Sequence, residues 1–189
     1  MTRHGDRPRV GISSCLLGDE VRYDGGHKLE AVVVSELGRV VEWISVCPEV
    51  EIGMGVPREP IQLRRLQDGG HVRLVGVRSG ADWTERMRAW SMERVRELQA
   101  MGLCGYVLKA RSPSCGPRDV PIDVGGSDDR MDSGRGRFAD VLVELMPGLP
   151  IEDEEHLRDT AVRDGFLAQV ISYAGLRPWP QAPGGRSAG

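Results

Sequence analysis

The sequence is poor in the features typical of several large classes of protein. Aromatic residues make up only 5% of its 189 residues, too few for the stacking platforms that bind single-stranded nucleic acid. The formal net charge is −3, so no overall positive field attracts phosphate backbones. No apolar run is long enough to span a membrane, and the first residues contain no apolar signal segment. These absences predict a cytoplasmic protein with no membrane partner and no extended nucleic-acid surface.

Familiar cofactor and metal signatures are also missing. The four cysteines include no Cys-x-x-Cys pair, which is typical of zinc fingers and bacterial ferredoxins. No Gly-x-Gly-x-x-Gly fingerprint of a dinucleotide site is present. In a chain of cytosolic character, four cysteines favour metal binding or catalysis over a disulfide framework.

Apolar strands alternate with helical patterns along the chain. Strands are predicted at about 9–14, 40–46 and 105–108, and the longest helix at about 83–101. This alternation predicts an α/β fold: a mostly parallel sheet with helices on both faces, in a Rossmann-like or flavodoxin-like three-layer single domain.

Other segments give weaker predictions. Residues 72–77 alternate only slightly and are expected to form a short or edge strand. Residues 123–136 are rich in Gly, Asp, Ser and Arg and are expected to be a loop. A last short strand is expected near residue 150, followed by one or two helices.

Three cysteines follow the predicted strands. Cys15 comes shortly after the first, Cys47 directly after the second, and Cys115 in the turn beyond the third. Because ligands bind at the carboxyl ends of parallel strands, we expect the three thiols to meet at one edge of the sheet. Thiolates gathered there suit soft metals and iron–sulfur clusters. Cys104 precedes its strand and is interpreted as a core residue, as isolated cysteines usually are.

Three thiolates without an obvious fourth ligand indicate a cluster with one open iron, which can act as a Lewis acid. Glu49 is a candidate general base, or a carboxylate that caps a turn or pairs with Arg58. Lys109 and Arg111, near the end of the third strand, are candidates for balancing the charge of an anionic cluster.

Other polar residues near the cysteines have two interpretations each. Ser112 and Ser114 either orient a substrate or shape the turn around Pro113. Asp24 is interpreted as the former of an Asx turn, with ligand contact as the alternative.

Five short segments resemble, in order, those of the thiouracil desulfidase family, a group of small bacterial proteins. They are Ile12-Ser13-Ser14-Cys15-Leu16-Leu17-Gly18, Val21-Arg22-Tyr23-Asp24-Gly25-Gly26, Cys47-Pro48-Glu49, Gly55-Val56-Pro57-Arg58 and Arg111-Ser112-Pro113-Ser114-Cys115-Gly116. The resemblance implies a desulfidase-like iron–sulfur domain over 8–146 and a C-terminal helical extension over 147–177 packed on it. Residues 178–189 are expected to form a disordered tail.

The resemblance also implies a 4Fe–4S cluster held by Cys15, Cys47 and Cys115, with one iron free of protein ligands. That iron would take the sulfur of a small thiolated base. Glu49 matches the catalytic carboxylate of the family and Ser112 its active-site serine, while the remaining candidates for substrate contact are Ser14, Asp24 and Ser114. The charged segment 118–137 departs from the family pattern, which bears on substrate choice.

Three functions are therefore open. The leading hypothesis is a non-redox, hydrolytic iron–sulfur enzyme that removes sulfur from a thiouracil-like nucleobase or a related thioamide and releases sulfide. A second is a non-catalytic iron–sulfur module that binds or senses sulfur compounds or oxygen. A third is a metal-free protein in which one cysteine of low pKa acts as the nucleophile.

Overall fold

The computed structural model describes residues 7–65, 71–125 and 132–175. The predicted disordered tail, 178–189, lies outside the described residues. The elements are, in chain order, β1 (Arg9–Ser13), α1 (Ser14–Leu17), α2 (Ala31–Leu37), β2 (Glu42–Val46), α3 (Pro48–Glu51), β3 (Ile61–Arg65), β4 (Val72–Gly76), α4 (Thr84–Ala100), β5 (Leu103–Leu108), β6 (Val120–Asp123), β7 (Asp132–Gly134), α5 (Arg137–Leu145), β8 (Ile151–Asp153), a 3₁₀ turn (His156–Arg158) and α6 (Thr160–Gly175).

Four strands form a fully parallel sheet in the order β2–β1–β5–β8. Strand β1 lies in the middle, with β2 in register from Arg9 opposite Glu42 to Ser13 opposite Val46. Strand β8 begins near the predicted position and extends the sheet beside β5. Because the four strands are parallel, their carboxyl ends lie at one edge, where the functional residues are expected.

Side chains of β5 alternate between two apolar cores, one on each face of this sheet. Tyr106 and Leu108 pack with α4 and α5, whereas Val107 between them packs with α2 and α6. Cys104 also belongs to the second core, at the point where the pairing of β5 with β1 shifts register. Successive side chains of a strand point to opposite faces, so a strand buried on both sides needs helices on both sides. This confirms the predicted layered α/β architecture. In the part of the chain that the structure describes, none of the helices has the length and apolar character needed to cross a bilayer.

Tyr106 occupies space that Gly11 leaves open on the neighbouring strand. A Cβ added at Gly11 would lie 2.4 Å from two ring carbons of Tyr106, so Gly11→Ala would overpack the core. The Tyr106 hydroxyl is buried and has no hydrogen-bond partner among the residues that the structure describes. Burial, and next the nearby Cys115 thiolate, raises the pKa of this phenol well above its usual range, so it stays neutral.

We expect Tyr106→Phe to leave stability unchanged or to raise it by about 1–3 kcal/mol, because the substitution removes a buried hydroxyl with no partner. Gly11→Ala should lower stability by about 1–3 kcal/mol. Urea denaturation of both variants measures the free energy of unfolding. A clear loss of stability in Tyr106→Phe would show that the hydroxyl has a partner in solution.

A second, mixed sheet has the order β4–β3–β6–β7. Strand β4 is an edge strand, as predicted, and β3 and β6 contribute Ile61, Leu63 and Ile122 to the core shared with α4 and α5. The prediction of a loop throughout 123–136 was wrong, because β7 pairs there with β6. Its sequence, Asp-Ser-Gly, has no apolar alternation, so only backbone pairing defines this strand.

Candidate functional site

A cavity of about 170 Å³ lies at the carboxyl edge of the parallel sheet. Its wall combines residues from the ends of β1, β2 and β5 with residues from the loops around 21–23, 58–61 and 112–115. The lining residues are Ser13, Ser14, Cys15, Val21, Arg22, Tyr23, Val46, Cys47, Pro48, Glu49, Arg58, Pro60, Ile61, Lys109, Ser112, Pro113 and Cys115. We call this space the cysteine cavity and name Cys15, Cys47 and Cys115 the cavity cysteines.

Each cavity cysteine is held by local structure that follows a strand. Cys15 lies in α1, which begins directly after β1, and Cys47 precedes Pro48, the first residue of α3. The Cys47 backbone N–H donates to Glu51 Oε1 at 3.2 Å, and Arg94 of α4 pairs with the same carboxylate at 3.3 Å. These bonds fix Cys47 although it lies in a loop.

Ser112 shapes the turn that carries Cys115. Its Oγ accepts hydrogen bonds from the backbone N–H of Ser114 at 3.3 Å and from that of Cys115 at 3.1 Å. This is the turn-forming role expected of a serine before proline. Because Ser112 also lines the cysteine cavity, the same residue can shape the turn and face a ligand.

All four cysteines of the described residues are free thiols. Burial, and next the Cys47 thiolate, raises the pKa of Cys15 to about 11, against partial compensation from Lys109 and Arg22. Burial also raises the pKa of Cys47, and it raises that of Cys115 well above its usual range. These raised pKa values favour the protonated thiols in the cluster-free site, whereas an activated nucleophilic cysteine has a lowered pKa.

The raised pKa gives a pH test of Cys15 in cluster-free protein. At about pH 8, a thiol of pKa about 11 is ionised ~100-fold less than an ordinary thiol of pKa near 9, whereas its thiolate is ~10-fold more nucleophilic. We therefore expect iodoacetamide to alkylate Cys15 ~10-fold more slowly in the folded than in the unfolded protein. The rate should still rise with pH above 9, as followed by mass spectrometry of the Cys15 peptide. A rate that levels off at about pH 9 to 10, as it does for an ordinary thiol, would contradict the raised pKa.

The cavity cysteines are spaced more widely than the ligands of a single ion. Within the described residues, the one group of three Cys, His, Asp or Glu ligand atoms lying within 4.8 Å of one another is Glu152, Asp153 and His156. Three thiolates bound to one zinc ion would lie ~3.8 Å apart, closer together than the cavity cysteines lie in this structure. In that group, Glu152 and Asp153 already pair with Arg118.

Glu49 lies in the cavity wall with both carboxylate oxygens engaged. Oε1 accepts a hydrogen bond from Ser114 Oγ at 2.8 Å. Oε2 accepts one from Arg58 Nε at 2.9 Å and lies 2.7 Å from a terminal nitrogen of the same guanidinium. The Arg58 side chain is 5% exposed and that of Glu49 16%. The pairing with Arg58 considered from the sequence is therefore present, and it keeps the carboxylate oriented.

The remaining predicted site residues occupy different positions. Ser14 is buried in the cavity wall, with its Oγ 2.8 Å from Ser45 Oγ in a hydrogen bond. Ser114 is completely buried behind Glu49 and does not line the cavity. Asp24 is exposed and forms the expected Asx turn, accepting from the Gly26 backbone N–H at 3.1 Å. It also pairs with Arg22, which does line the cavity.

Lys109 and Arg111 pair with two acidic residues that the sequence pattern does not identify. Lys109 lines the cavity and pairs with Glu154, the residue after β8, whereas Arg111 points away and pairs with the partly exposed Glu155. Glu154 could not be identified from the sequence, because acidic residues are common near helix starts and its partner lies 45 residues earlier.

Comparisons with known proteins agree with this geometry. The family model for 2-thiouracil desulfurase matches residues 10–154. The uncharacterized protein YbbK of Bacillus subtilis (strain 168) is 31% identical over 109 residues, which are 56% of this chain and 71% of YbbK. Among solved structures, the 4Fe–4S-dependent thiouracil desulfidase TudS matches with a TM-score of 0.64 and 28% identity, covering 84% of this chain and 99% of that chain.

Proposed function

Because this chain belongs to the 2-thiouracil desulfurase family, we propose that it is a 4Fe–4S-dependent desulfidase. It removes sulfur from thiouracil, a similar thiolated nucleobase or a related thioamide, and releases sulfide. One observation carries the proposal: three free cysteines from three separate strand ends line one cavity. The structural similarity to a 4Fe–4S-dependent thiouracil desulfidase supports it.

The donor set fits a cluster with one iron free of protein ligands. Cys15, Cys47 and Cys115 supply three thiolates, and in the described part of the cavity wall there is no histidine and no fourth cysteine. Three cationic side chains line the same wall, namely Arg22, Arg58 and Lys109. Positive charge beside three thiolates lowers the cost of placing an anionic group there.

When bound, such a cluster supplies a soft Lewis acid for a thiocarbonyl sulfur. The protein must then bring water to the carbon of the C=S bond. A carboxylate has about four lone-pair sites; Arg58 occupies Oε2 of Glu49 with two nitrogens, and Ser114 occupies one site on Oε1. The second site on Oε1 remains for a water molecule, from which Glu49 takes a proton as general base.

Serine hydroxyls place the substrate, and two further side chains act through other residues. Ser14 and Ser112 lie in the cavity wall and are positioned to contact the base directly. Ser114 acts through its hydrogen bond to Glu49, and Asp24 through its pair with Arg22. The reaction balances without a redox partner: water adds its oxygen to the carbon, and the sulfur leaves as sulfide with the protons of that water.

Turnover of 2-thiouracil tests the proposal. Protein reconstituted with iron and sulfide under anaerobic conditions should convert 2-thiouracil to uracil, with one free sulfide per uracil and without added reductant. The same protein with the cluster removed should give neither product. Loaded protein that binds 2-thiouracil without releasing sulfide would overturn the enzyme and favour the non-catalytic iron–sulfur module.

A further inference from the structure

Lys109 is fixed at the edge of the cysteine cavity by its own backbone. It follows β5 directly, and its backbone N–H donates to Ser13 Oγ at 3.0 Å. Ser13 is the last residue of β1 and lies two residues before Cys15. Lys109 lines the cavity, and its side chain is 19% exposed and therefore largely shielded from water.

Glu154 holds that ammonium from the neighbouring strand. Strand β8 runs parallel to β5 with Asp153 opposite Leu108, so the next two residues, Glu154 and Lys109, are adjacent. The Glu154 side chain is 2% exposed and pairs with Lys109 Nζ. Its other oxygen accepts from the Ala110 backbone N–H at 2.6 Å, and Lys109 Nζ donates to the Ala110 carbonyl at 3.1 Å.

This buried pair needs an explanation, because a buried ion pair is weak support for stability by itself. Lys109 lines the cysteine cavity, whereas the buried Glu154 is not part of the cavity wall. Such an arrangement presents positive charge to the cavity and keeps the compensating negative charge further away. Among described lysines and arginines of the cavity wall, Lys109 is the one set directly at the end of a central strand.

We propose that Lys109 supplies positive charge to the cysteine cavity. Its ammonium, held in place by Glu154, stabilises negative charge on the sulfur atoms bound there. The proposal rests on the proposed function, in that the cavity cysteines hold a cluster. It specifies the charge-balancing role of Lys109 and adds a role for Glu154, the residue that follows β8.

The reduction potential of the cluster reports this charge, because net charge near a cluster sets its potential. Lys109→Met should shift the midpoint potential to more negative values, since a positive charge is lost. Glu154→Gln should shift it to more positive values, since Lys109 is then unopposed, while the Gln oxygen can still accept from Ala110. The double variant should lie close to the wild type. Titrations followed by absorbance and EPR give the potentials.

Controls separate the charge from a structural role. Lys109→Arg keeps the cation and should keep the potential, which also covers the case in which Lys109→Met fails to load. Arg88→Met, which removes the partner of Glu144 on distant helices, should leave the potential unchanged. Shifts of the same sign in Lys109→Met and Glu154→Gln, or no shift in a loaded Lys109→Met variant, would overturn the proposal. A wild type that binds no cluster would overturn the proposed function instead.

Discussion

Replacing Cys15, Cys47 or Cys115 with serine is expected to abolish the visible absorption of the iron–sulfur cluster in each variant. A 4Fe–4S cluster needs several thiolate ligands, and a serine hydroxyl is a harder and much less acidic donor. Since the cavity wall offers no spare cysteine among the described residues, no substitute ligand is at hand. Iron content should fall from about four per chain to near zero.

Cys104→Ser is the matched control for these variants. Cys104 is 3% exposed and packs in the core with α2 and α6, away from the cysteine cavity. We expect this variant to retain iron and colour, with some loss of stability from a buried hydroxyl. Brown protein with full iron content from any of the three cavity variants would contradict the ligand assignment.

Glu49→Gln should lower the rate of sulfide release by about 10²–10⁴-fold, the usual contribution of a general base, while cluster content stays unchanged. The amide can still accept a hydrogen bond from Ser114 or Arg58, but it cannot take a proton from water. Because Glu49 is not among the proposed cluster ligands, the visible spectrum of the variant should match that of the wild type. Sulfide release is measured under saturating 2-thiouracil.

Glu144→Gln serves as the control for this substitution, because Glu144 is exposed and pairs with Arg88 on the far helices α4 and α5. Its sulfide release should equal that of the wild type. Retention of full activity by Glu49→Gln would remove Glu49 from the mechanism. Loss of both the cluster and activity in Glu49→Gln would make it a structural residue of the site.

The parallel sheet and the meeting of the cavity cysteines could be predicted because both follow from local pattern. Apolar strands separated by helices specify parallel pairing, and the end of each strand then fixes which edge Cys15, Cys47 and Cys115 approach. The resemblance to the thiouracil desulfidase family, drawn from five short segments, is confirmed by the family match over 10–154.

Long-range pairing explains what the sequence left open. Strand β7 forms through backbone bonds to β6 across a segment without apolar alternation. Glu49 had two interpretations from its sequence neighbours, and only the folded loop at Arg58 shows that the carboxylate is paired. The contact of Lys109 with Glu154 depends on the position of β8 beside β5, which no local motif specifies.

Iron and acid-labile sulfide, counted in wild-type protein purified under strict anaerobiosis, show whether the cavity cysteines hold a cluster. We expect about four irons and four sulfides per chain, together with the broad visible absorption of a cluster. A folded protein that stays free of iron after anaerobic reconstitution would contradict it, because the cavity cysteines would then have another role.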